Sequence, residues 1–71
     1  MSPYGVLNES IQWLLKKSPH TLNDLIRTAK QAGLTPAHAR RVVDTLVMSG
    51  KVTSKRDGSE IVIHWIAGGE V

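Results

Sequence analysis

Two arginines stand side by side at positions 40 and 41, and Lys51, Lys55 and Arg56 follow close behind them. Arginine carries a planar fork of donors that fits two phosphate oxygens or the O6 and N7 edge of guanine, whereas lysine acts as a point charge. The chemistry on offer is recognition of a polyanion. Covalent chemistry has no comparable foothold. His20, His38 and His64 never fall at i, i+3 or i+4 spacing and no carboxylate cluster joins them, so no metal site is expected. The chain has no cysteine, which excludes thiolate zinc ligands and disulfides alike. No nucleophile stands beside a base and an orienting third group, and no glycine-rich phosphate loop leads into a helix. Neither catalytic residues nor a cofactor are expected, and the chain reads as a protein without enzymatic activity.

The elements that must hold these cations announce themselves by their start and stop signals. Ser2 as cap and Pro3 at the first helical position open a helix to about Lys17, with Leu7, Ile11, Leu14 and Leu15 at helical spacing. Lys16 and Lys17 fall in its last turn, where cations complement the dipole, and Ser18-Pro19-His20 breaks it. Thr21 with Asp24 is a variant capping box that starts a second helix, apolar at Leu22, Leu25, Ile26, Ala29 and Ala32. Gly33 supplies the left-handed residue that ends it, and Leu34 packs back in the manner of a Schellman closure. Thr35-Pro36 then starts a third helix, which runs through Ala39, Val42, Val43, Leu46 and Val47 to about Ser49 and stops at Gly50.

After Gly50 the period drops to two. Lys51 to Lys55 alternates around Val52, Glu60 to Ala67 is branched and aromatic, and the intervening Asp57-Gly58 is a pair favoured in tight hairpin turns. A two-stranded ribbon is expected. Ile61, Val62, Ile63, Trp65 and Ile66 are apolar on both faces, so one face should cover the helices and the other offers a contact surface.

On the third helix, Ala37, His38, Arg40, Arg41, Asp44, Thr45 and Met48 turn away from the apolar face, and Arg40, Arg41 and Thr45 are candidates for base or phosphate contact. The simpler alternative is a solvated face in which Asp44 pairs with Arg40 at i, i+4. His38, Thr35 and the free donors at the helix start could hold a phosphate, although an N-cap role accounts for Thr35 without any ligand. Lys51, Lys55 and Arg56 suit phosphates beside or on the ribbon, Asp57 and Gly58 serve its turn, and Arg27 is a weaker phosphate candidate. Trp13 lies off the apolar stripe of the first helix and is grouped with Tyr4 as a partner or self-association contact, while Trp65 is expected to close the core.

A helix followed by two helices joined through Gly33, Leu34 and Thr35 is a helix-turn-helix order, and the ribbon adds a wing. The whole order resembles the winged-helix superfamily of DNA-binding domains over roughly residues 6 to 66. The stretch Ala39-Arg40-Arg41-Val42-Val43-Asp44-Thr45-Leu46-Val47-Met48-Ser49-Gly50-Lys51-Val52 is similar to the segment of MarR-like bacterial regulators in which the recognition helix ends in Leu, a few residues, Gly and the start of the wing. Ser18-Pro19-His20-Thr21-Leu22 resembles the short strand such folds place between their first two helices. The resemblance implies an α+β fold, a three-helix winged helix-turn-helix with a C-terminal β-hairpin wing. It also implies binding of double-stranded DNA, with the third helix in the major groove and the wing on the backbone. The chain departs from larger regulators in having no room for dimerisation helices or a ligand domain. The wing lacks the prolines of the left-handed-nucleic-acid-binding type.

Length and composition set the outer bounds. Seventy-one residues, a formal charge of +3 and a 41% hydrophobic fraction describe one domain over 1–71 with a short flexible tail over 67–71. A chain this small buries only ~60% of its unfolded surface, which leaves no walled pocket and argues against a small-molecule ligand. No apolar run exceeds three residues, whereas a membrane span needs ~20, and no leader precedes the first helix. A cytoplasmic protein with no membrane association is expected. Two functions fit: a DNA-binding transcriptional or accessory regulator of a bacterium, plasmid or phage, completed by a homodimer or a larger protein partner, or a winged-helix module that docks on a larger complex. The acidic Asp44, Asp57 and Glu60 within the basic face favour the second.

Overall fold

Each helix begins where a side chain meets its first-turn donors. In the computed structural model, which describes residues 2–66, α1 spans Pro3–Lys17 and the Gly5 N–H donates to Ser2 Oγ at 3.1 Å. The expected tail over 67–71 lies outside the described residues. After the two-residue strand β1 (His20–Thr21), α2 covers Leu22–Gln31. Its capping box is reciprocal: the Asp24 N–H donates to Thr21 Oγ1 at 3.1 Å and the Thr21 N–H donates to the Asp24 carboxylate at 3.2 Å. In α3 (Pro36–Met48) histidine takes the place of the usual acid, and the Thr35 N–H donates to His38 Nδ1 at 3.2 Å.

The two interior helix ends share one device. The Gly33 N–H donates to the Lys30 carbonyl at 3.0 Å and the Leu34 N–H to the Ala29 carbonyl at 2.9 Å, which satisfies two orphan acceptors of α2. Gly50 and Lys51 repeat the pattern on Val47 and Leu46 at the end of α3, both bonds 3.0 Å long. Such closures require a left-handed residue, and Gly33 has φ +80° and Gly50 φ +75°. A Cβ on Gly33 would meet nothing within 4 Å, so substitution there costs torsional strain and no clash. Gly33→Ala is therefore expected to destabilise the fold by about 1–2 kcal/mol, and Gly33→Asn by less. Urea midpoints of the three proteins check this; equal midpoints would mean that the α2–α3 turn relaxes to a different backbone.

The sheet consists of the expected ribbon and the short strand that the winged-helix resemblance places between the first two helices. β2 (Val52–Asp57) and β3 (Glu60–Trp65) form the hairpin, and β1 adds to the free edge of β3 to give the antiparallel order β1-β3-β2. His20 stands opposite Ile63 and Thr21 opposite Val62. The turn differs by one position: Asp57 pairs with Glu60, so the loop is Gly58-Ser59, with positive φ (+66°) at Gly58 alone. Glycine at the first central position is the requirement of a type II′ turn, and this register lets buried Val52 pair with Trp65. Lys51, expected within the strand, precedes it, because its N–H is used to close α3.

Alternation along β3 decides what faces the helices. Ile61, Ile63 and Trp65 turn inward with Ile63 buried, while Val62 and His64 turn outward. The core joins Leu7, Ile11 and Leu15 of α1, Leu25 and Ala29 of α2, Ala39, Val42, Val43 and Leu46 of α3, and Val52 and Ile63 of the sheet. Leu14, expected in the α1 stripe, is only half-buried because it stands about 60° off the Leu7–Ile11–Leu15 line. Trp65 packs at the core edge as expected, with Lys16 Nζ 5.3 Å from its ring centroid and its buried Nε1–H without an acceptor among the described residues.

Candidate nucleic-acid interface

The buried residues Ala39, Val42, Val43 and Leu46 fix the orientation of α3, and the opposite side is thereby presented to solvent. Its outermost row is Ala37, Arg41, Asp44 and Met48, at i, i+4, i+7 and i+11. Arg40 and Arg41 are neighbours in sequence, yet 100° of helical rotation sends them to different flanks. Arg40, with Val43, Asp44 and Val47, forms one wall of a groove of about 200 Å³. Ser54, Ile61 and Ile63 of the sheet form the other wall, and Leu22 closes it from α2. Arg41 lies on the other flank with Ala37 and His38 around a shallow depression. Thr45, also exposed, follows His38 and Arg41 on that flank.

The wing cations separate in the same way. Cross-strand partners share a face, so Arg56, opposite Ile61, lies on the groove side of the sheet, and Lys55, opposite Val62, lies on the outer side. Lys51 stands at the far end of β2, about 17 Å from Arg56 at 3.3–3.4 Å per strand residue. The structure therefore brings Arg56 to the α3 face and leaves Lys55 and Lys51 away from that pair. No ion pair within 4 Å engages Arg40, Arg41, Lys51, Lys55 or Arg56 among the described residues. The Arg40–Asp44 pair allowed by the spacing does not form; the ion pair that does is Asp24–Arg27 at 3.4 Å, both groups substantially exposed.

At the start of α3 the polar groups are largely occupied with the helix itself. Pro36 has no N–H, the His38 N–H donates to the Thr35 carbonyl at 3.0 Å, and Thr35 Oγ1 lies 2.8 Å from His38 Nδ1. Thr35 is the N-cap of α3 by its extended backbone, and its hydroxyl makes no cap bond to the first turn but lies against His38. With Nδ1 accepting from the Thr35 N–H, the neutral imidazole carries its proton on Nε2, which leaves one donor for a ligand. Tyr4 stacks near this ring, centroids 6.0 Å apart and planes tilted by 56°, and it packs against the core. This corrects its grouping with Trp13: nine residues at 100° each put the two aromatics on opposite sides of α1. Trp13 is on the outer side, 58% exposed.

Two residues expected on the exposed side of α3 complete the face. Asp44 stands in the outermost row with no ion pair among the described residues, and Met48 beside it is 87% exposed. The i, i+3, i+4, i+7 relation of Arg40, Val43, Asp44 and Val47 carried the signal for the helical wall of the groove. Nothing local carried it for Ile61 and Ile63, which come from the sheet. Among the described residues no three His, Cys, Asp or Glu side chains gather as a metal site would need, and no helix is long and apolar enough to cross a membrane.

The sequence matches no protein-family model and no curated protein. Among solved structures, the chain is similar to one from work on the DNA recognition and protein interaction domains of HOP2 and its homologous DNA pairing properties. The TM-score is 0.67 at 21% identity, over 92% of this chain and 100% of the other. Three helices in helix-turn-helix order, a strand from the α1–α2 connection added to a C-terminal hairpin, and this likeness identify the architecture: the chain has the winged-helix fold.

Proposed function

We propose that the chain is a duplex-DNA-binding winged helix that lays α3 in the major groove and sets the tip of its β2–β3 wing on the adjacent backbone. One observation carries this reading: Arg40 and Arg41 project from the exposed side of α3, Arg56 lies on the groove side of the sheet, and none of the three is neutralised by an ion pair among the described residues. A helix of ordinary diameter fits the major groove, and arginine is the side chain best matched to guanine there. His38 Nε2 and Thr45 lie on the Arg41 flank as further polar contacts, and Lys55 and Lys51 add charge at longer range. The likeness to HOP2, whose DNA recognition domain is among those described, supports the same reading. A regulatory role in transcription, in a bacterial or phage cytoplasm and with the MarR-like arrangement of recognition helix and wing, is the finer form of the proposal. No catalytic step, metal or small-molecule ligand enters it.

The test is fluorescence anisotropy of a labelled random duplex titrated at several salt concentrations. Roughly four to six neutralised phosphates predict a slope of log K against log salt of about −4 to −5. Absence of binding at low salt would refute the proposal and turn attention to the second reading, a protein-interaction module. That reading is favoured by one observation, the exposure of Trp13, Met48 and Ile66 on a small basic surface.

A further inference from the structure

The side of α1 turned away from the core is dominated by one aromatic. Trp13 is 58% exposed, Val6 two turns earlier on the same side is 47% exposed, and the core-facing Leu7, Ile11 and Leu15 lie opposite. Tryptophan buries 150–250 Å² when covered, and aromatic anchors of this kind concentrate interface energy. The charges around it are ordered by sign. Glu9 stands one turn before Trp13 and has no ion-pair partner among the described residues, whereas Lys16 and Lys17 stand one turn after, with Lys17 Nζ 3.9 Å from the indole centroid. A shallow depression beside the indole is lined by Glu9, Ser10 and Leu14, and Gln12 and Lys16 flank the other side.

We propose that this face pairs with the same face of a second copy, α1 against α1 and antiparallel, about a two-fold axis passing between Gln12 and Trp13. A two-fold contact must be self-complementary, and this patch meets that requirement. Glu9 and Lys16 lie equally far from such an axis on the same flank of the helix, so each Glu9 meets the Lys16 of the other copy once that ammonium swings from its place 5.3 Å from the Trp65 centroid. Trp13 of each copy then enters the depression bordered by the other's Ser10, whose small side chain lets the helices approach. Parallel pairing would set Glu9 on Glu9 and Lys16 on Lys16, so the charge order selects the antiparallel arrangement. The depressions beside Trp13 share no lining residue with those on α3, so the α3 residues take no part in this contact. The dimer is thus independent of nucleic acid, and each proposal can fail alone.

Sedimentation velocity of the full chain without DNA, over a concentration series, tests the inference. The parent is expected to pass from the 7.8 kDa monomer to twice that mass. Trp13→Ala, an exposed position that leaves the core intact, is expected to raise the dimer dissociation constant at least tenfold with an unchanged circular dichroism spectrum. E9K and K16E are each expected to weaken self-association, and an equimolar mixture of the two to regain it, since the mixed pair restores both Glu–Lys contacts. A parent that stays monomeric throughout overturns the proposal and leaves Trp13 to a different protein. A Trp13→Ala variant that dimerises as the parent does, or a mixture no tighter than its components, overturns it as well.

Discussion

Arg41→Ala is expected to weaken duplex binding by about 1–3 kcal/mol, roughly five- to 150-fold, and to relax preference at the base pair it reads. Arg41 is in the outermost row of α3 between Ala37 and Asp44, the position that reaches deepest when a helix enters the groove. Arg40 faces the wing across the groove floored by Ile61 and Ile63, so it is placed to meet the backbone between helix and wing. Arg40→Ala is therefore expected to weaken binding to all sequences alike and to reduce the salt slope by about one unit. Asp44 predicts an effect of the opposite sign. A carboxylate with no ion pair among the described residues is repelled when it faces phosphates, and in the major groove only the amino groups of cytosine and adenine offer it a donor. Asp44→Ala should tighten binding to random duplex while flattening sequence preference. Anisotropy titrations of the three variants against random and selected duplexes check these signs together; three identical isotherms would remove α3 as the contact element.

The largest effect on stability is expected from Ile63→Ala, a loss of about 2–5 kcal/mol. Ile63 is 1% exposed, sits in the central strand of the β1-β3-β2 sheet, and stands between His20 on one side and Ser54 on the other. It is where the sheet meets the helical core, and the neighbouring strands place small Ser54 and polar His20 at that level, so neither refills the space with apolar atoms. At 0.05–0.15 kcal/mol per residue, the whole fold is stable by about 4–11 kcal/mol, so this one truncation removes a large part of it. Urea unfolding followed by circular dichroism should show the variant partly unfolded in buffer or with a midpoint far below the parent. A midpoint within error of the parent would mean that β3 is not integrated with the helices in solution.

The caps and closures were legible in the sequence because they are local. Thr21 with Asp24, Gly33 with Leu34, and Gly50 each act through bonds spanning three to five residues, so residue type at fixed spacing suffices to place them. The exposed side of α3 was legible for the same reason, since a constant rotation per residue converts the apolar spacing of Ala39, Val42, Val43 and Leu46 into a direction. The histidine variant of the α3 cap is not legible in the sequence because histidine is not the usual acceptor three residues after a cap, and only the structure shows its Nδ1 taken by the Thr35 N–H.

The wing was legible only as a ribbon. Ile61, Val62 and Ile63 are equally apolar, so their order carries no sign of which face is inner, and that one choice sends Arg56 to the α3 side and Lys55 to the other. Moving the turn from Asp57-Gly58 to Gly58-Ser59 shifts every cross-strand partner by two residues and brings buried Val52 against Trp65. Tyr4 and Trp13 were grouped by aromatic character, and helical phase sets them on opposite sides of α1. By itself, then, the sequence determined three helices, their ends, a hairpin and the cations of α3, all set by interactions a few residues long. The tertiary structure decided the pairing of β1 with β3, the inner face of the sheet and the groove that joins Arg40 to the wing, because these depend on contacts between residues tens of positions apart that compete for the same core.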